Sequence, residues 1–320
     1  MTKKEEKIFV IINSYLVGDM LLVNPLIQNI KRLFKDSKIV MLSSSNLSEI
    51  AKNQEGVDEV IIWDRKNKHK GLFGMFKFVK EFPYKKVFAT FPIYATDRPI
   101  MLSLLLNSKY ILFRNKQNIL KYFFKSKYPI DKIYTTDIPM QYWHVNLLKG
   151  ITKEELIDCP MIFNIDKTIE NPVNEKEYIV LCPISSRLPK DMPKETVIDI
   201  IKSANKKVVL LGNGEISRKL SNELKNENLD NLIDLTDKTT LSQAACIIKN
   251  SIGTISVDTG LMHLACAVNN PVACVFYENK KSAFIPRENM YKAKLINENQ
   301  NAQNILNTFY ELIKKETLNG

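Results

Sequence analysis

Residues 253–271 read GTISVDTGLMHLACAVNNP, and this stretch decides the fold class. Its first residues, Gly253–Ser256, form a short run bounded by turn signals that predicts a strand. After a turn, apolar residues recur at helical spacing as far as Val268, and the Asn-Asn-Pro sequence ends the helix. Strand, turn and helix in this order form the beginning of a βαβ unit, which predicts an α/β protein with a parallel sheet.

The same alternation of short strand-like runs and longer helical patterns continues on both sides of this stretch. In the first half the predicted strands are Ile8–Ile12, Lys38–Leu42, Glu59–Ile62, Lys86–Thr90 and Tyr110–Phe113. In the second half they are Tyr178–Cys182, Lys207–Leu211, Leu232–Asp234, Gly253–Ser256 and Val272–Phe276. The polar segment Ile165–Lys176 between the two sets predicts a linker. The chain of 320 residues is therefore expected to form two doubly wound, Rossmann-like domains that face each other across a cleft.

The chain carries a formal net charge of +11, and the surplus is uneven. Residues 1–160 hold 26 Lys and Arg against 16 Asp and Glu, whereas residues 161–320 hold 20 against 19. The aromatic residues are not interleaved with basic ones, and there is no zinc-finger or RNP pattern, which argues against a nucleic-acid binder. The imbalance favours two domains with different ligands, the first ligand being anionic or lying on an anionic surface.

The cysteines and the apolar runs indicate the cellular compartment in which the protein is expected. The five cysteines are widely spaced without a Cys-x-x-Cys pair, which indicates neither a disulfide framework nor a zinc site. The first apolar run, Ile8–Ile12, is not a signal-peptide core. The most lipid-like stretch, Met101–Leu106, is shorter than the about 20 residues that a spanning helix needs. We expect a cytoplasmic protein that at most sits on a membrane surface.

Gly18 and Asp19 follow the first predicted strand and precede a helix whose apolar residues recur from Leu21 to Phe34. Glycine permits a tight backbone path here, and Asp19 is expected at or near the helix N-terminus. One interpretation of Asp19 is a general base that accepts a proton from an acceptor hydroxyl. The other is a helix cap, since Asp is among the best capping residues. Spacing alone favours the cap.

The turn after Gly253–Ser256 has the features of an anion site. The N–H groups of Thr259, Gly260 and Leu261 at the start of the helix, together with the helix dipole, suit a diphosphate. His263 lies one turn further along, where two interpretations remain open. It could hydrogen-bond a phosphate or ribose, or it could be a packed histidine.

Two further loops place polar residues after predicted strands. In the first, Ser185 and Ser186 precede Lys190, whose ammonium could neutralise charge on a departing diphosphate, although a solvated basic loop is the alternative. In the second, Gly212 and Glu215 belong to Leu-Gly-Asn-Gly-Glu, and the carboxylate could accept hydrogen bonds from ribose hydroxyls. Neither loop is a GxGxxG fingerprint or a P-loop, so dehydrogenase and P-loop ATPase functions lose their main support.

The order of these loops along the chain resembles that of the family 9 glycosyltransferases, the lipopolysaccharide heptosyltransferase family. The resemblance covers essentially the whole chain, and the run Asp-Thr-Gly-x-x-His-Leu-Ala at residues 258–265 is its most specific part. It implies the GT-B fold. Residues 1–165 then form an N-terminal acceptor-binding domain, residues 172–300 a C-terminal nucleotide-sugar donor domain, and residues 301–320 a helix that packs back towards the N-terminal domain.

The resemblance also implies a reaction, the metal-independent, inverting transfer of a heptose from ADP-heptose to a hydroxyl of the lipopolysaccharide or lipooligosaccharide inner core. Asp19 matches the catalytic base, and Lys190 would stabilise the leaving ADP. The positions that match donor binding are Ser185, Ser186, Lys190, Gly212, Glu215, Asp258, Thr259, Gly260 and His263. Gly18, Lys66, Lys68 and Lys121 are candidates for acceptor binding. The implied partners are a nucleotide sugar, an anionic acceptor and the inner-membrane surface, with no cofactor and no metal.

Three departures from the family pattern keep alternatives open. The chain reads Phe276-Tyr277-Glu278-Asn279-Lys280 where many members have Phe-Gly-Pro-Thr. Met192 stands where an aromatic residue is common, and Asn13 where Lys or Arg is common. The alternatives are transfer from another nucleotide-sugar donor, and a member that binds a glycolipid without turnover.

Overall fold

The computed structural model describes residues 6–319 except 14, 95, 114–139, 186–189, 278–286, 289 and 298–299. The chain divides into two compact units, Met1–Met161 and Ile162–Gly320. Each unit is built on a parallel β-sheet, which confirms the α/β class predicted from the sequence. The division falls a few residues before the linker that the polar segment predicts.

The first unit contains five strands and six helices in the described ranges. The strands are β1 Lys7–Ile12, β2 Ser37–Ser43, β3 Glu59–Ile62, β4 Val87–Pro92 and β5 Ser108–Ile111. The helices are α1 Val17–Leu21, α2 Asn24–Leu33, α3 Ser48–Lys52, α4 Gly71–Glu81, α5 Asp97–Leu105 and α6 Met140–Asn146. The strands form one parallel sheet in the order β3-β2-β1-β4-β5. The central strand β1 is almost wholly buried, as its unbroken apolar run predicts.

The second unit contains six strands and five helices in the described ranges. The strands are β6 Tyr178–Cys182, β7 Lys207–Leu210, β8 Leu232–Asp234, β9 Gly253–Val257, β10 Val272–Phe276 and β11 Ala293–Asn297. The helices are α7 Lys194–Ser203, α8 Glu215–Leu224, α9 Leu241–Asn250, α10 Gly260–Ala267 and α11 Ala302–Asn319. They form a parallel sheet in the order β11-β10-β9-β6-β7-β8. Sequence analysis did not find β11, an edge strand in which only Ala293 and Ile296 are buried.

The segment after β1 forms two helices where the apolar spacing predicts one. Helix α1 ends at Leu21 and α2 begins at Asn24, with Pro25 in its first turn. A continuous helix would lose the N–H of Pro25 and force its ring against the carbonyl of Leu21. The proline is tolerated at the start of a helix, so the chain restarts there. The short α1 holds Gly18 and Asp19.

Burial also sets the chemistry of the thiols. All five cysteines are buried and free. Burial raises the pKa of Cys159 to about 11, so its thiol stays protonated at neutral pH. Among the residues that the structure describes, no helix is long and apolar enough to cross a membrane.

The C-terminal helix α11 closes the core of the second unit. Ile305, Leu306 and Phe309 are almost fully buried in that core. A Cβ on Gly253 in β9 would lie 2.6 Å from Cδ1 of Ile313 and 2.7 Å from Cε2 of Phe309, so the glycine admits the helix to the sheet. The apolar face of α11 covers the second sheet, and the packing of residues 301–320 towards the N-terminal domain stays a prediction. Residues 301–320 belong to the second unit.

We predict that Gly253→Ala destabilises the protein by about 1–3 kcal/mol, because the added methyl must displace the buried ring of Phe309. Chemical unfolding measures the change. Lys219→Ala on the exposed side of α8 is the control and should leave stability within about 0.5 kcal/mol. Equal stability of Gly253→Ala and the wild type would show that α11 does not pack on β9 at this glycine.

Candidate functional site

The strand order of the second sheet brings two of the predicted loops together. The chain passes from β6 to β7 on one side, while β9 lies on the other side of β6. The loops that leave β6 and β9 are therefore neighbours at the carboxyl edge of the sheet. Open α/β sheets bind ligands at such a point of reversal. The two loops contain Ser185 and Lys190 in one case and Asp258–Gly260 in the other.

A hydrogen bond and an ion pair join these two loops, and a second hydrogen bond lies within the first loop. The hydroxyl of Ser185 donates to the backbone carbonyl of Asp258 at 3.0 Å, and its N–H donates to the carboxylate of Asp191 at 2.6 Å. The ammonium of Lys190 pairs with the carboxylate of Asp258. In this geometry Asp258 positions Ser185 and Lys190. Ser186, also predicted to bind the donor, lies outside the described residues.

The start of α10 lies beside this ion pair. Thr259 is the N-cap, with an extended backbone (φ −141°, ψ 169°), and Gly260 is the first helical residue. The first N–H groups of a helix have no partner within it and carry the positive end of the helix dipole. Together with Lys190 they offer positive charge and hydrogen-bond donors to an anion such as a diphosphate. Within the described ranges no cluster of three or more His, Cys, Asp or Glu could hold a metal ion.

His263 is buried one turn into α10, with 4% of its surface exposed. Burial is the main cause that lowers its pKa from 6.5 to about 4, while the charge of Asp258 raises the pKa and that of Lys190 lowers it. The imidazole is therefore neutral at pH 7. Its Nδ1 has no hydrogen-bond partner among the described residues. His263 is thus a packed histidine, and its Nδ1 atom remains available to accept a hydrogen bond from a ligand or to donate one.

The loop after β7 is shaped by two glycines and by a residue that sequence analysis missed. Gly214 has φ +94°, which favours glycine, and a Cβ on Gly212 would lie 2.7 Å from Oγ of Ser217. The carboxylate of Asp237 accepts from the N–H of Gly214 at 2.9 Å and from Arg218 at 2.5 Å, and these bonds hold the pKa of Asp237 below its usual range. Glu215, the first residue of α8, is exposed above this loop.

The first sheet reverses its strand order beside β1, and Asp19 lies in the short helix α1 that follows this strand. The order changes between β1 and β4. Asp19 is the third residue of α1 and only 4% exposed, and the N-cap position belongs to Leu16. The amide of Asn13 donates to the backbone carbonyl of Asp19 at 2.9 Å. Asp19 is thus not the N-cap residue, and Asn13 fixes its backbone. Gly18, predicted to contact the acceptor, is buried beside it.

Two tyrosines and an arginine meet at the same edge, and the tyrosines were not singled out from the sequence. Tyr15 follows β1 and Tyr94 follows β4, and their ring centroids are 4.1 Å apart. Arg65 follows β3. Its guanidinium carbon Cζ lies 5.4 Å from the ring centroid of Tyr15 and 5.2 Å from that of Trp63. Tyr15 is 39% exposed, so the cluster presents an aromatic surface with a cation beside it. The two tyrosines meet because β1 and β4 are neighbours in the sheet. In the sequence, the only indication of this contact is that each tyrosine follows a predicted strand.

The predicted acceptor lysines differ in their surroundings. Lys66 is exposed in a turn that the carboxylate of Asp64 holds by accepting backbone N–H groups. Lys68 is exposed and pairs with Glu81 at 2.8 Å. Both follow β3, at the carboxyl edge of the first sheet. Lys121 lies outside the described residues.

We predict that His263 makes the protein less stable as the pH falls from 6.5 towards 4. Between these values the unfolded chain takes up a proton that the folded protein excludes, so the loss between pH 7 and pH 5 is about 2 kcal/mol. Urea unfolding of the wild type and of His263→Gln at both pH values isolates this contribution, because the other two histidines are common to both. An identical loss in the variant would contradict a neutral, buried His263.

Comparison with known proteins gives a family profile that covers the end of the first unit and most of the second. The profile of glycosyltransferase family 9 (heptosyltransferase) matches residues 146–311, slightly more than half of the chain. A search of curated proteins finds no match.

Three solved structures share the fold at low identity. A family 9 glycosyl transferase from Veillonella parvula has a TM-score of 0.83 and 14% identity over 98% of this chain and 99% of its own. ADP-heptose lps heptosyltransferase II of E. coli has a TM-score of 0.76 and 17% identity over 97% and 99%. Heptosyltransferase WaaC of E. coli, solved with ADP, has a TM-score of 0.78 and 16% identity over 95% and 99%. With its two parallel sheets of the GT-B type and its match to the family profile, the chain belongs to glycosyltransferase family 9, the heptosyltransferase family.

Proposed function

We propose that this glycosyltransferase moves a heptose from ADP-heptose to a hydroxyl of the lipopolysaccharide or lipooligosaccharide inner core, with inversion and without a metal ion. The observation that carries the proposal is the junction of the Ser185–Lys190 loop with Asp258–Gly260 in a chain of the heptosyltransferase family. The similar structures support the donor, since one is described as ADP-heptose lps heptosyltransferase II and another as a heptosyltransferase with ADP.

On the donor side, the start of α10 and Lys190 would bind the diphosphate. The helix N–H groups and the ammonium supply positive charge where negative charge grows as ADP leaves, so the leaving group needs little protonation. Asp258 holds Lys190 in place before the nucleotide binds. Glu215 would accept hydrogen bonds from the ribose hydroxyls, and Nδ1 of His263 would meet a donor group of the nucleotide.

On the acceptor side, Asp19 would act as the general base. Its carboxylate accepts the proton of the acceptor hydroxyl while that oxygen bonds to the anomeric carbon. The bond from the anomeric carbon to the diphosphate oxygen breaks, and its electron pair leaves with ADP. A single displacement of this kind inverts the configuration and needs one carboxylate. Burial of Asp19 and the bond from Asn13 support a fixed position for the base.

The exposed edge of the first sheet would bind the acceptor sugars. The Tyr15–Tyr94 pair offers a flat apolar surface for a sugar ring, and Arg65 offers a charge for an acidic sugar or phosphate. The charge of +10 in residues 1–160 suits an acceptor that carries acidic groups. We place the protein in the cytoplasm, at the inner face of the inner membrane.

A second candidate function is transfer from another nucleotide sugar. Tyr277 stands where many family members have a glycine in a donor loop, and its ring packs against the core of the second unit. Burial raises the pKa of the Tyr277 hydroxyl to about 12. A packed tyrosine at this position favours a donor pocket that differs from the common one. A member that binds without turnover is the third alternative.

We predict that Asp19→Asn lowers turnover about a hundredfold or more while ADP affinity stays unchanged, because the amide cannot accept the proton. The assay incubates ADP-heptose with a heptose-deficient core acceptor and follows the product by mass spectrometry. Asp36→Asn is the matched control, since Asp36 is exposed and lies between α2 and β2, away from the carboxyl edge of the sheet. It should retain full turnover.

A melting curve of Asp19→Asn shows whether the buried substitution leaves the fold intact. Near-normal turnover of a folded Asp19→Asn would rule out the base assignment. Turnover with another donor would replace ADP-heptose and keep the base. Nucleotide binding without transfer from any donor would establish the non-catalytic alternative.

A further inference from the structure

Helix α4 exposes large apolar side chains that its neighbours leave uncovered. Phe73 is 93% exposed, Leu72 57% and Phe76 46%. The same helix buries Met75 and Phe78, each 2% exposed, in the core of the first unit. Single exposed apolar residues are ordinary, but three large ones on one helix form a patch that commonly marks an interaction surface.

The exposed apolar residues lie on one side of α4, and two lysines lie on the same side. At 100° per residue, Leu72, Phe73, Phe76, Lys77 and Lys80 fall within an arc of about 140°. The preceding loop adds the exposed Lys66, Lys68 and Lys70. We call these eight residues the α4 surface.

The two carboxylates that flank the basic run of the α4 surface in the sequence are already engaged. Residues 65–80 contain six Arg or Lys and no Asp or Glu. On either side of this run, Asp64 accepts the N–H groups of its own loop, and Glu81 pairs with Lys68 and contacts His69 at 3.2 Å. The α4 surface is therefore apolar at its centre, basic around it, and complementary to an anionic partner.

The helix cannot turn its exposed rings inwards. A Cβ on Gly74 would lie 2.3 Å from the backbone carbonyl carbon of His69, so the helix rests directly on the preceding loop. On its inner side, Phe78 packs 6.1 Å from Trp63 and 6.0 Å from Phe82, measured between ring centroids. Rotation of α4 would break this packing. The exposure of Phe73 is thus fixed by the fold.

We propose that the α4 surface docks the protein on an anionic lipid bilayer. Leu72, Phe73 and Phe76 enter the boundary between headgroups and acyl chains, and the lysines contact lipid phosphates. Helices that lie in a membrane interface combine apolar residues with surrounding lysines in this way. Each lysine near an anionic leaflet adds an electrostatic attraction, which salt weakens by screening.

The position of the surface fits the chemistry of the first unit. Helix α4 follows β3, so its first residues, Leu72 and Phe73, lie at the carboxyl edge of the first sheet. Asp19 and the Tyr15–Tyr94 pair lie at the same edge. A bilayer on the α4 surface would present lipid-linked groups to that edge. In this respect the inference rests on the proposed function, but the docking itself does not require it.

The test is flotation of the full-length protein with vesicles that contain neither acceptor nor nucleotide. The wild type should float with phosphatidylcholine vesicles containing phosphatidylglycerol, should not float with pure phosphatidylcholine, and should lose binding in high salt. Phe73→Ser should weaken binding about tenfold or more. Lys77→Gln with Lys80→Gln should weaken binding and reduce its salt dependence. Leu318→Ser removes an apolar side chain that is 78% exposed on α11 and should change nothing.

Two further readouts keep the inference falsifiable. Phe73→Trp should show a blue shift of emission on binding that exceeds any shift of the wild type, whose own tryptophans are Trp63 and Trp143. Phe73→Ser should retain transfer to a soluble acceptor fragment, which separates docking from catalysis. Absence of flotation, or equal flotation of Phe73→Ser and wild type, would overturn the proposal. So would a wild-type dimer that Phe73→Ser dissociates, since the surface would then join two copies of the chain.

Discussion

Parallel strands place all their carboxyl ends at one edge of a sheet, and the order of the strands decides which of the following loops meet. In the second sheet this constraint places the loop after β6 against the loop after β9, where the hydroxyl of Ser185 reaches the carbonyl of Asp258. In the first sheet it places Tyr15 against Tyr94. Each unit therefore has its polar or aromatic cluster at the point where strand order reverses. The candidate sites depend on topology before they depend on any single side chain.

The electrostatics of the second unit are arranged around a neutral buried histidine and a paired lysine. His263 is kept uncharged by burial, and Lys190 is paired with Asp258. An anion at the start of α10 would meet charge that is already in place, which is the arrangement that favours stabilisation of a leaving diphosphate. In the glycine loop after β7, the carboxylate of Asp237 likewise fixes the backbone by accepting the N–H of Gly214.

Much of this architecture can be predicted from the sequence, because buried parallel strands are short apolar runs. Four strands, among them Tyr178–Cys182 and Val272–Phe276, have the bounds that the sequence predicts. The edge strand β11 was not predicted, because Ala293–Asn297 is only partly buried and has no continuous apolar run. The meeting of Tyr15 with Tyr94 requires the strand order, which no local pattern contains. Helix α4 is apolar on several sides, so its sequence does not show that Phe78 is buried and Phe73 exposed.

The central claim is that the loops joined at Asp258 hold a nucleotide diphosphate, and thermal unfolding with ADP, UDP, GDP and CMP in metal-free buffer tests it most directly. ADP at about 100 times its dissociation constant should raise the melting temperature by roughly 5–11 °C. Lys190→Met should remove most of that shift, whereas Lys219→Met should keep it. A preference for another nucleotide would change the donor and leave the site in place. No shift with any nucleotide, or an undiminished shift in Lys190→Met, would contradict the account.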